Sequence, residues 1–122
     1  MLKRLTAQEL HNLGMNIIGE KLQKMGYEFV AINSKLKKHP QFVLYKKGEP
    51  TIFVLVKVSS NIQQPERYDA IWMETFKEHA IQQNAKVWFA AIGLANSESV
   101  ELPVFKDQPY YVAFEDFEKV IA

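Results

Sequence analysis

The twenty residues from Gln41 to Ser60, QFVLYKKGEPTIFVLVKVSS, constrain the fold of this chain more than any other stretch. Two segments within it, Gln41–Lys46 and Thr51–Val58, are rich in β-branched and aromatic residues, which favour strands. The sequence Lys-Lys-Gly-Glu-Pro between them supplies the residues of a tight turn. The second segment carries one charge, Lys57, and its nearly continuous apolar run is typical of a strand covered on both faces. The stretch therefore predicts a buried β-hairpin.

Length and composition limit what can surround this hairpin. A chain of 122 residues is expected to form a single domain, residues 1–122, with a core of its own. Hydrophobic residues make up 48% and charged residues 24%, as in folded proteins. The formal net charge of +1 creates no global attraction to nucleic acid or membrane, so any such binding needs a local patch. The chain has no cysteine, which excludes disulfides, thiolate metal sites and cysteine catalysis.

The N-terminal sequence MLKRLT lacks the apolar run of a signal peptide. No stretch of the chain approaches the roughly eighteen apolar residues of a membrane span. We therefore expect a cytoplasmic protein with no membrane partner.

The segment before the hairpin predicts a helix followed by a strand. Thr6 and Glu9 have the spacing of a capping box, and Gly26 is placed to end the helix after about Met25. Tyr27–Asn33 has the composition of a strand.

The segment after the hairpin predicts a second helix, which Pro65 is well placed to open and which extends through Asn84. One face of this helix is expected to carry Tyr68, Ile71, Trp72, Phe76 and His79, the last as a core or boundary histidine. The remaining expected elements are a strand at Ala85–Gly93, a loop at Leu94–Pro109, a strand at Tyr110–Phe114 and a brief helix at Glu115–Ala122. This order predicts an α/β fold with a mixed sheet of four or five strands and helices on its faces.

Three local patterns fit the element order αβββαβ: Gly19-Glu20 on the first helix, Gly26-Tyr27 before the first strand, and Phe53–Lys57 on the third. Together they resemble the restriction-endonuclease-like (PD-(D/E)XK) nuclease superfamily over about residues 19–93. The likeness is greatest to its small stand-alone bacterial members and to Holliday-junction resolvases. The resemblance implies an αβββαβ core with a central mixed sheet flanked by helices.

In active members of that superfamily, an aspartate on the second strand and an acidic residue on the third hold Mg²⁺, because a hard divalent ion prefers oxygen ligands. A lysine two positions later positions or deprotonates the attacking water. Here Leu55 stands at the acidic position, and residues 41–43, where the aspartate is expected, are uncharged. Only Lys57 and the Glu20 position remain. The resemblance therefore implies a degenerate, catalytically inactive domain with no metal and no other cofactor.

Nucleic acid is the partner that this interpretation favours, because a lysine ammonium can hold a phosphate without a metal. The expected phosphate contacts are Lys35, Lys37, Lys38, Lys46, Lys47 and Lys57. If these lysines gather at one end of the sheet, their patch would bind nucleic acid in a salt-dependent way. The simpler alternatives are that Lys57 is a strand-end lysine reaching solvent and that Glu20 is a helix-surface carboxylate.

Two other functions stay open. The domain could be a structural or protein-interaction module, for instance a homodimer, because exposed apolar patches usually mark interfaces. Its contacts would then come from a sheet edge and from the C-terminal aromatic region, Val104, Phe105, Tyr110, Tyr111, Phe114 and Phe117. Alternatively, it could be a divalent-metal-dependent nuclease whose ligands have migrated to Glu20 and Glu49.

Overall fold

The computed structural model describes residues 2–60 and 66–122. The elements in these ranges are α1 (Ala7–Lys24), β1 (Glu28–Ile32), β2 (Phe42–Tyr45), β3 (Ile52–Ser59), α2 (Ala70–Gln82), β4 (Lys86–Asn96), β5 (Tyr110–Ala113) and β6 (Glu118–Ile121). The first six follow the predicted αβββαβ order. The predicted start of the second helix at Pro65 lies outside the described residues. Among those described, neither helix is long and apolar enough to cross a bilayer.

The described strands form one mixed sheet of six, one or two more than expected. Neighbours follow the order β1-β2-β3-β4-β5, and β6 pairs with β4 beside β5. The pairs β1–β2 and β2–β3 are antiparallel, whereas β3 and β4 are parallel from Ile52 beside Lys86 to Ser59 beside Gly93. Parallel neighbours need a crossover connection, which α2 supplies.

β3 is the central strand, as its apolar run predicts. Val54, Leu55 and Val56 are each at most 1% exposed. Successive side chains point to opposite layers, so Val54 and Val56 pack beneath α1 while Phe53 and Leu55 pack beneath α2. Each large side chain buried in this way stabilises the fold by roughly 1.5–3 kcal/mol. The sheet is therefore covered on both faces at its centre.

α1 forms as its capping box predicts. The Glu9 N–H donates to Thr6 Oγ1 at 3.1 Å, and the Thr6 N–H donates to Glu9 Oε1 at 2.9 Å. The helix ends before Gly26, whose φ of +92° is readily adopted only by glycine. At Gly14 the helix lies very close to β3, because a Cβ there would be 2.3 Å from Val58 Cγ2.

Two predictions for the C-terminal third are wrong. Glu115–Ala122 does not form a helix, because residues 118–121 form β6 and pair with the first half of β4. β4 also continues to Asn96, beyond the predicted end at Gly93, where it pairs with β5. Both differences have one cause. The buried strand β4 must satisfy the backbone N–H and C=O groups of its outer edge, and this pairing outweighs a weak local helix preference.

α2 starts after Asp69, whose side chain accepts a hydrogen bond from the Trp72 N–H at 3.3 Å. Two side chains predicted on its buried face are exposed instead: Ile71, at 78%, and His79. The buried stripe follows Trp72 and Ala80, two turns apart, and at 3.6 residues per turn this alignment leaves Ile71 outside it. His79 is exposed, but it has the hydrogen-bond partner that a boundary histidine is expected to have, because its Nε2 lies 2.7 Å from Nε2 of the Gln83 amide.

Candidate functional site

Lys57 lies near the end of β3, on the face that α2 covers. Alternation along the strand places it on the same side as Leu55, as the sequence predicts. The β2–β3 register pairs Phe42 with Val54, so Gln41, one residue earlier, comes to lie beside Leu55. Gln41 is one of the three uncharged residues where the resemblance places the aspartate, and it thus lies beside Leu55, which stands at the expected acidic position.

Gln41 is 1% exposed, and both polar atoms of its side chain are hydrogen-bonded. Its Oε1 accepts from the Val56 N–H at 2.8 Å. Its Nε2 donates to the Lys38 carbonyl at 2.9 Å and to His39 Nδ1 at 2.8 Å. An ionised carboxylate could replace the first bond but could not donate the other two. Gln41 therefore joins the β1–β2 loop to β3.

Leu55 is fully buried and packs in the core beneath α2. Such surroundings offer no oxygen ligands to a divalent ion. Across residues 2–60 and 66–122, no three His, Cys, Asp or Glu side chains are placed to hold a metal. The geometry beside Lys57 thus does not fit a metal centre of the resembled type.

His39 fills the space between Gln41 and the start of α2. Its ring packs edge to face against Tyr68 and Trp72, with centroid distances of 5.2 and 4.8 Å. Burial lowers the pKa of His39, and the positive charge of the Lys57 ammonium lowers it further. Because Nδ1 accepts from Gln41, the neutral ring carries its proton on Nε2.

Lys57 Nζ lies 4.8 Å from the centroid of the Tyr68 ring, a cation–π contact. The Tyr68 hydroxyl donates to the Val56 carbonyl at 3.3 Å and lies 3.4 Å from His39 Nδ1. Burial raises the pKa of Tyr68, which keeps the phenol neutral. In the described part of the chain, no carboxylate forms an ion pair with Lys57. The Lys57 ammonium is therefore half-buried and contacts a ring, and no carboxylate among the described residues pairs with its charge.

Arg67 lies on the same face, but its charge is balanced. Its guanidinium pairs with Glu118 of β6 and packs over the Phe89 ring at 5.2 Å. Phe89 also contacts the Tyr68 ring at 5.3 Å, so Arg67 borders the aromatic group around Lys57. Of these two cations, Lys57 is the one available to an external anion.

The β1–β2 loop lies at the same end of the sheet as Lys57 and carries three exposed lysines, Lys35, Lys37 and Lys38. Gln8 of α1 holds this loop in place. Its Nε2 donates to the Ser34 carbonyl at 2.7 Å, and its Oε1 accepts from the Leu36 N–H at 3.0 Å. The loop is thereby fixed at one side by Gln8 and at the other by Gln41.

The turn lysines, Lys46 and Lys47, lie at the opposite end of the sheet. The β2–β3 register places Lys46 level with Pro50, seven residues before Lys57, or about 23 Å at roughly 3.3 Å per residue. Lys46 Nζ donates to the Met25 carbonyl at 3.3 Å, where it caps the end of α1. The six predicted lysines therefore form two groups rather than one patch.

Glu20 and Glu49, the ligands considered for a migrated metal site, are also distant from Lys57. Glu20 is exposed on α1, which covers the other face of the sheet. Glu49 is exposed in the β2–β3 turn, at the other end. The fold does not bring either carboxylate to Lys57.

Sequence reasoning missed the partners of Lys57. Tyr68 and Trp72 were predicted only as one face of a helix, and His39 only as part of a basic run. Their contacts join three separate segments of the chain, so no local spacing reveals them. The one available signal was the His-Pro-Gln sequence directly before β2, which places one imidazole ring and one side-chain amide beside a buried strand.

The fold and this geometry define a mixed α/β domain with a half-buried basic site at one end of its sheet. The chain belongs to a family described as a domain of unknown function (DUF8840), whose model matches residues 8–120. No curated protein and no solved structure matches the chain.

Proposed function

We propose that this domain is a catalytically inactive member of the restriction-endonuclease-like superfamily that binds nucleic-acid phosphates. The observation that carries the proposal is the half-buried ammonium of Lys57, which has no acidic partner in the described ranges. Lys57 lies on the same face of β3 as Leu55, which stands at the acidic position of the resembled motif, and residues 41–43, where the aspartate is expected, are uncharged. The αβββαβ order and the parallel β3–β4 pair support the fold assignment.

In this proposal a phosphate oxygen accepts a hydrogen bond from Lys57 Nζ, and the His39 Nε2–H is a second donor nearby. The exposed loop lysines, Lys35, Lys37 and Lys38, contact neighbouring phosphates. Contacts of this kind position a nucleic acid without reading its sequence. Four such contacts predict that the logarithm of affinity falls with the logarithm of salt concentration with a slope of about −3.6 on a DNA duplex.

The direct test is fluorescence anisotropy with a labelled DNA duplex and a labelled four-way junction, titrated at several salt concentrations without divalent metal. Lys57→Ala is expected to weaken binding about tenfold, as for the loss of one charged hydrogen bond, and to reduce the salt slope by about one unit. The matched control is Lys47→Ala, an exposed lysine at the opposite end of the sheet, which should leave both quantities nearly unchanged.

Absence of binding at low salt, where electrostatic attraction is strongest, would contradict the proposal. Equal weakening by Lys57→Ala and Lys47→Ala would contradict the assignment of the site, because it would indicate diffuse attraction to surface charge.

A second function, self-association, is favoured by the outer edge of β1. Within residues 2–60 and 66–122 this edge strand pairs only with β2, and its Val30 and Ile32 are 66% and 58% exposed. Unpaired edge strands with apolar side chains are templates for adding another strand. A second copy could extend the sheet at β1, and Val30→Lys would then shift a dimer to monomer in sedimentation velocity. A wild-type protein that sediments as a monomer at its highest soluble concentration would exclude this function.

A further inference from the structure

Four aromatic rings beneath α1, on the sheet face opposite Lys57, form one row of contacts. Tyr27 meets Trp88 edge to face at a centroid distance of 5.5 Å. Trp88 lies 5.6 Å from Phe117, and Phe117 lies 5.2 Å from Phe114. The row joins the end of α1, strand β4 and the segment between β5 and β6, so it is a product of the tertiary fold.

Three of these rings carry a lysine ammonium above them. The pairs and their ammonium-to-centroid distances are Lys46 over Tyr27 at 5.0 Å, Lys119 over Trp88 at 5.3 Å, and Lys21 over Phe114 at 5.7 Å. The lysines come from α1, the β2–β3 turn and β6, three elements distant in sequence. We call these three lysines with the four rings the basic–aromatic surface.

The positive charge of the basic–aromatic surface is not neutralised by ion pairs. All three lysines are exposed, and the two ion pairs among residues 2–60 and 66–122, Arg67–Glu118 and Lys77–Glu74, include none of them. Glu49 lies close enough to Tyr27 that its charge adds to the effect of burial in raising the pKa of Tyr27. Asp116 is engaged locally, accepting from the Phe117 N–H at 2.7 Å.

Trp88 adds an independent observation. It is 5% exposed, and its indole N–H is buried without a hydrogen-bond partner among the described residues. Buried donors are almost always satisfied, so an unpaired one beneath Lys119 calls for an explanation. A ligand that draws Lys119 away from the ring and brings a hydrogen-bond acceptor close to the indole would satisfy the Trp88 N–H.

We propose that the basic–aromatic surface binds a single-stranded nucleic-acid segment, at a site distinct from the phosphate site of Lys57. The three exposed lysines can turn from the rings toward phosphates, which leaves the half-buried rings of Tyr27, Phe114 and Phe117 to bases, and base stacking on such rings tolerates any sequence. A duplex keeps its bases stacked inside the helix and offers none to the rings. The surface therefore favours single strands over duplexes, independently of whether Lys57 binds phosphate.

The two tryptophans of the chain allow the two sites to be followed separately. In Trp72→Phe the remaining tryptophan is Trp88, which lies in the row of rings. Titration of this variant with oligothymidylate at low salt is expected to change the Trp88 emission in a saturable way. Adding Lys119→Ala should weaken the affinity about threefold to tenfold, as for one lost phosphate contact. Lys106→Ala, which removes an exposed lysine that belongs to neither proposed site, is the matched control and should leave the affinity unchanged.

Glu49→Gln tests the same surface in the opposite direction, because removal of its nearby acid should strengthen binding. Unfolding melts of each variant would verify that the fold is intact before affinities are compared.

Several results would overturn the proposal. No change in Trp88 emission, or equal weakening by Lys119→Ala and Lys106→Ala, would exclude a separate site on this surface. A duplex that binds as tightly as the single strand would exclude the preference for unpaired bases. A polyglutamate peptide that binds as tightly as oligothymidylate would show that charge alone is recognised and would indicate an acidic protein partner instead.

Discussion

Both ends of the sheet place a lysine over an aromatic ring, but they hold it differently. Lys57 is half-buried, and its ring, Tyr68, is hydrogen-bonded to β3 within a network that includes Gln41. At the other end, Lys46 is exposed, and its ring, Tyr27, is held by packing against Trp88. Positive charge is thus part of the interior structure at one end and an addition to the surface at the other.

This difference teaches that the two ends should respond differently to substitution. Near Lys57 a change disturbs buried hydrogen bonds and packing, so it should alter the free energy of unfolding. On the basic–aromatic surface a change removes exposed groups, whose contribution to stability is small. Substitutions at the two ends test this contrast, and the largest effect is expected at Leu55.

Leu55→Asp is expected to be the most destabilising of these changes, by about 3–5 kcal/mol, because it buries a carboxylate among apolar side chains. Urea unfolding followed by circular dichroism measures the loss. Ile32→Asp, on the exposed edge strand, is the comparison and should cost much less.

The same variant tests the metal-dependent alternative. Millimolar Mg²⁺ should not raise the melting temperature of either the wild type or Leu55→Asp, since a ligand stabilises only a native state that binds it. A clear rise in either protein would mean that this end of the sheet does accept a divalent ion.

Gln41→Leu should cost about 2–4 kcal/mol, because it leaves the buried Val56 N–H and the Lys38 carbonyl without partners. The counterpart at the other end is Lys46→Met, which removes one exposed hydrogen bond to Met25 and should cost less than about 1 kcal/mol. Chemical denaturation of both variants gives the two values. Equal losses of unfolding free energy in the two variants would contradict the proposed difference between the two ends.

Stability should fall as the pH decreases below about 6.5, the ordinary pKa of histidine. Burial lowers the folded-state pKa of both His39 and His11, with further lowering by Lys57 and His39 respectively. The unfolded chain therefore binds more protons than the native chain in this range, which makes unfolding easier in acid by up to about 1.4 kcal/mol per pH unit for each histidine.

The measurement is the urea midpoint between pH 7 and pH 5. His39→Gln should make the acid side of this profile shallower, and so should His11→Gln. If both variants keep a profile as steep as that of the wild type, groups other than these histidines control the acid sensitivity.

The smallest predicted effect comes from a matched pair of hydroxyl deletions. Tyr68→Phe removes a hydrogen bond to the Val56 carbonyl and should cost about 0.5–1.5 kcal/mol. Tyr27→Phe removes a hydroxyl with no protein hydrogen bond among the described residues and should change stability by less than about 0.5 kcal/mol. Thermal melts can resolve this difference, and a larger loss for Tyr27→Phe would reverse the assignment of the two ends.

The sequence predicted the parts of the fold that depend on local signals. The capping box at Thr6 and Glu9 and the apolar run of β3 each lie within one segment, so their patterns were sufficient. β6 could not be predicted, because it forms only where the outer edge of β4 requires a partner. The site around Lys57 was equally hidden, since His39 and Tyr68 come from different segments.

The separation of the six lysines into two groups could have been predicted from the sequence. In a hairpin, the turn and the start of the first strand lie at opposite ends, so Lys46 and Lys47 could not share an end with Lys38 and Lys57. The predicted hairpin therefore already contained the separation of the lysines into two groups.

The close approach at Gly14 packs α1 directly against Val58 of β3 and so leaves the helix little space to roll or slide past that side chain. Gln8, on the same helix, holds the β1–β2 loop by two hydrogen bonds. The loop lysines are thus fixed relative to Lys57 through a helix and not only through the intervening chain. Such charges are preorganised, so a phosphate ligand that matches their spacing would bind without first paying to order the loop.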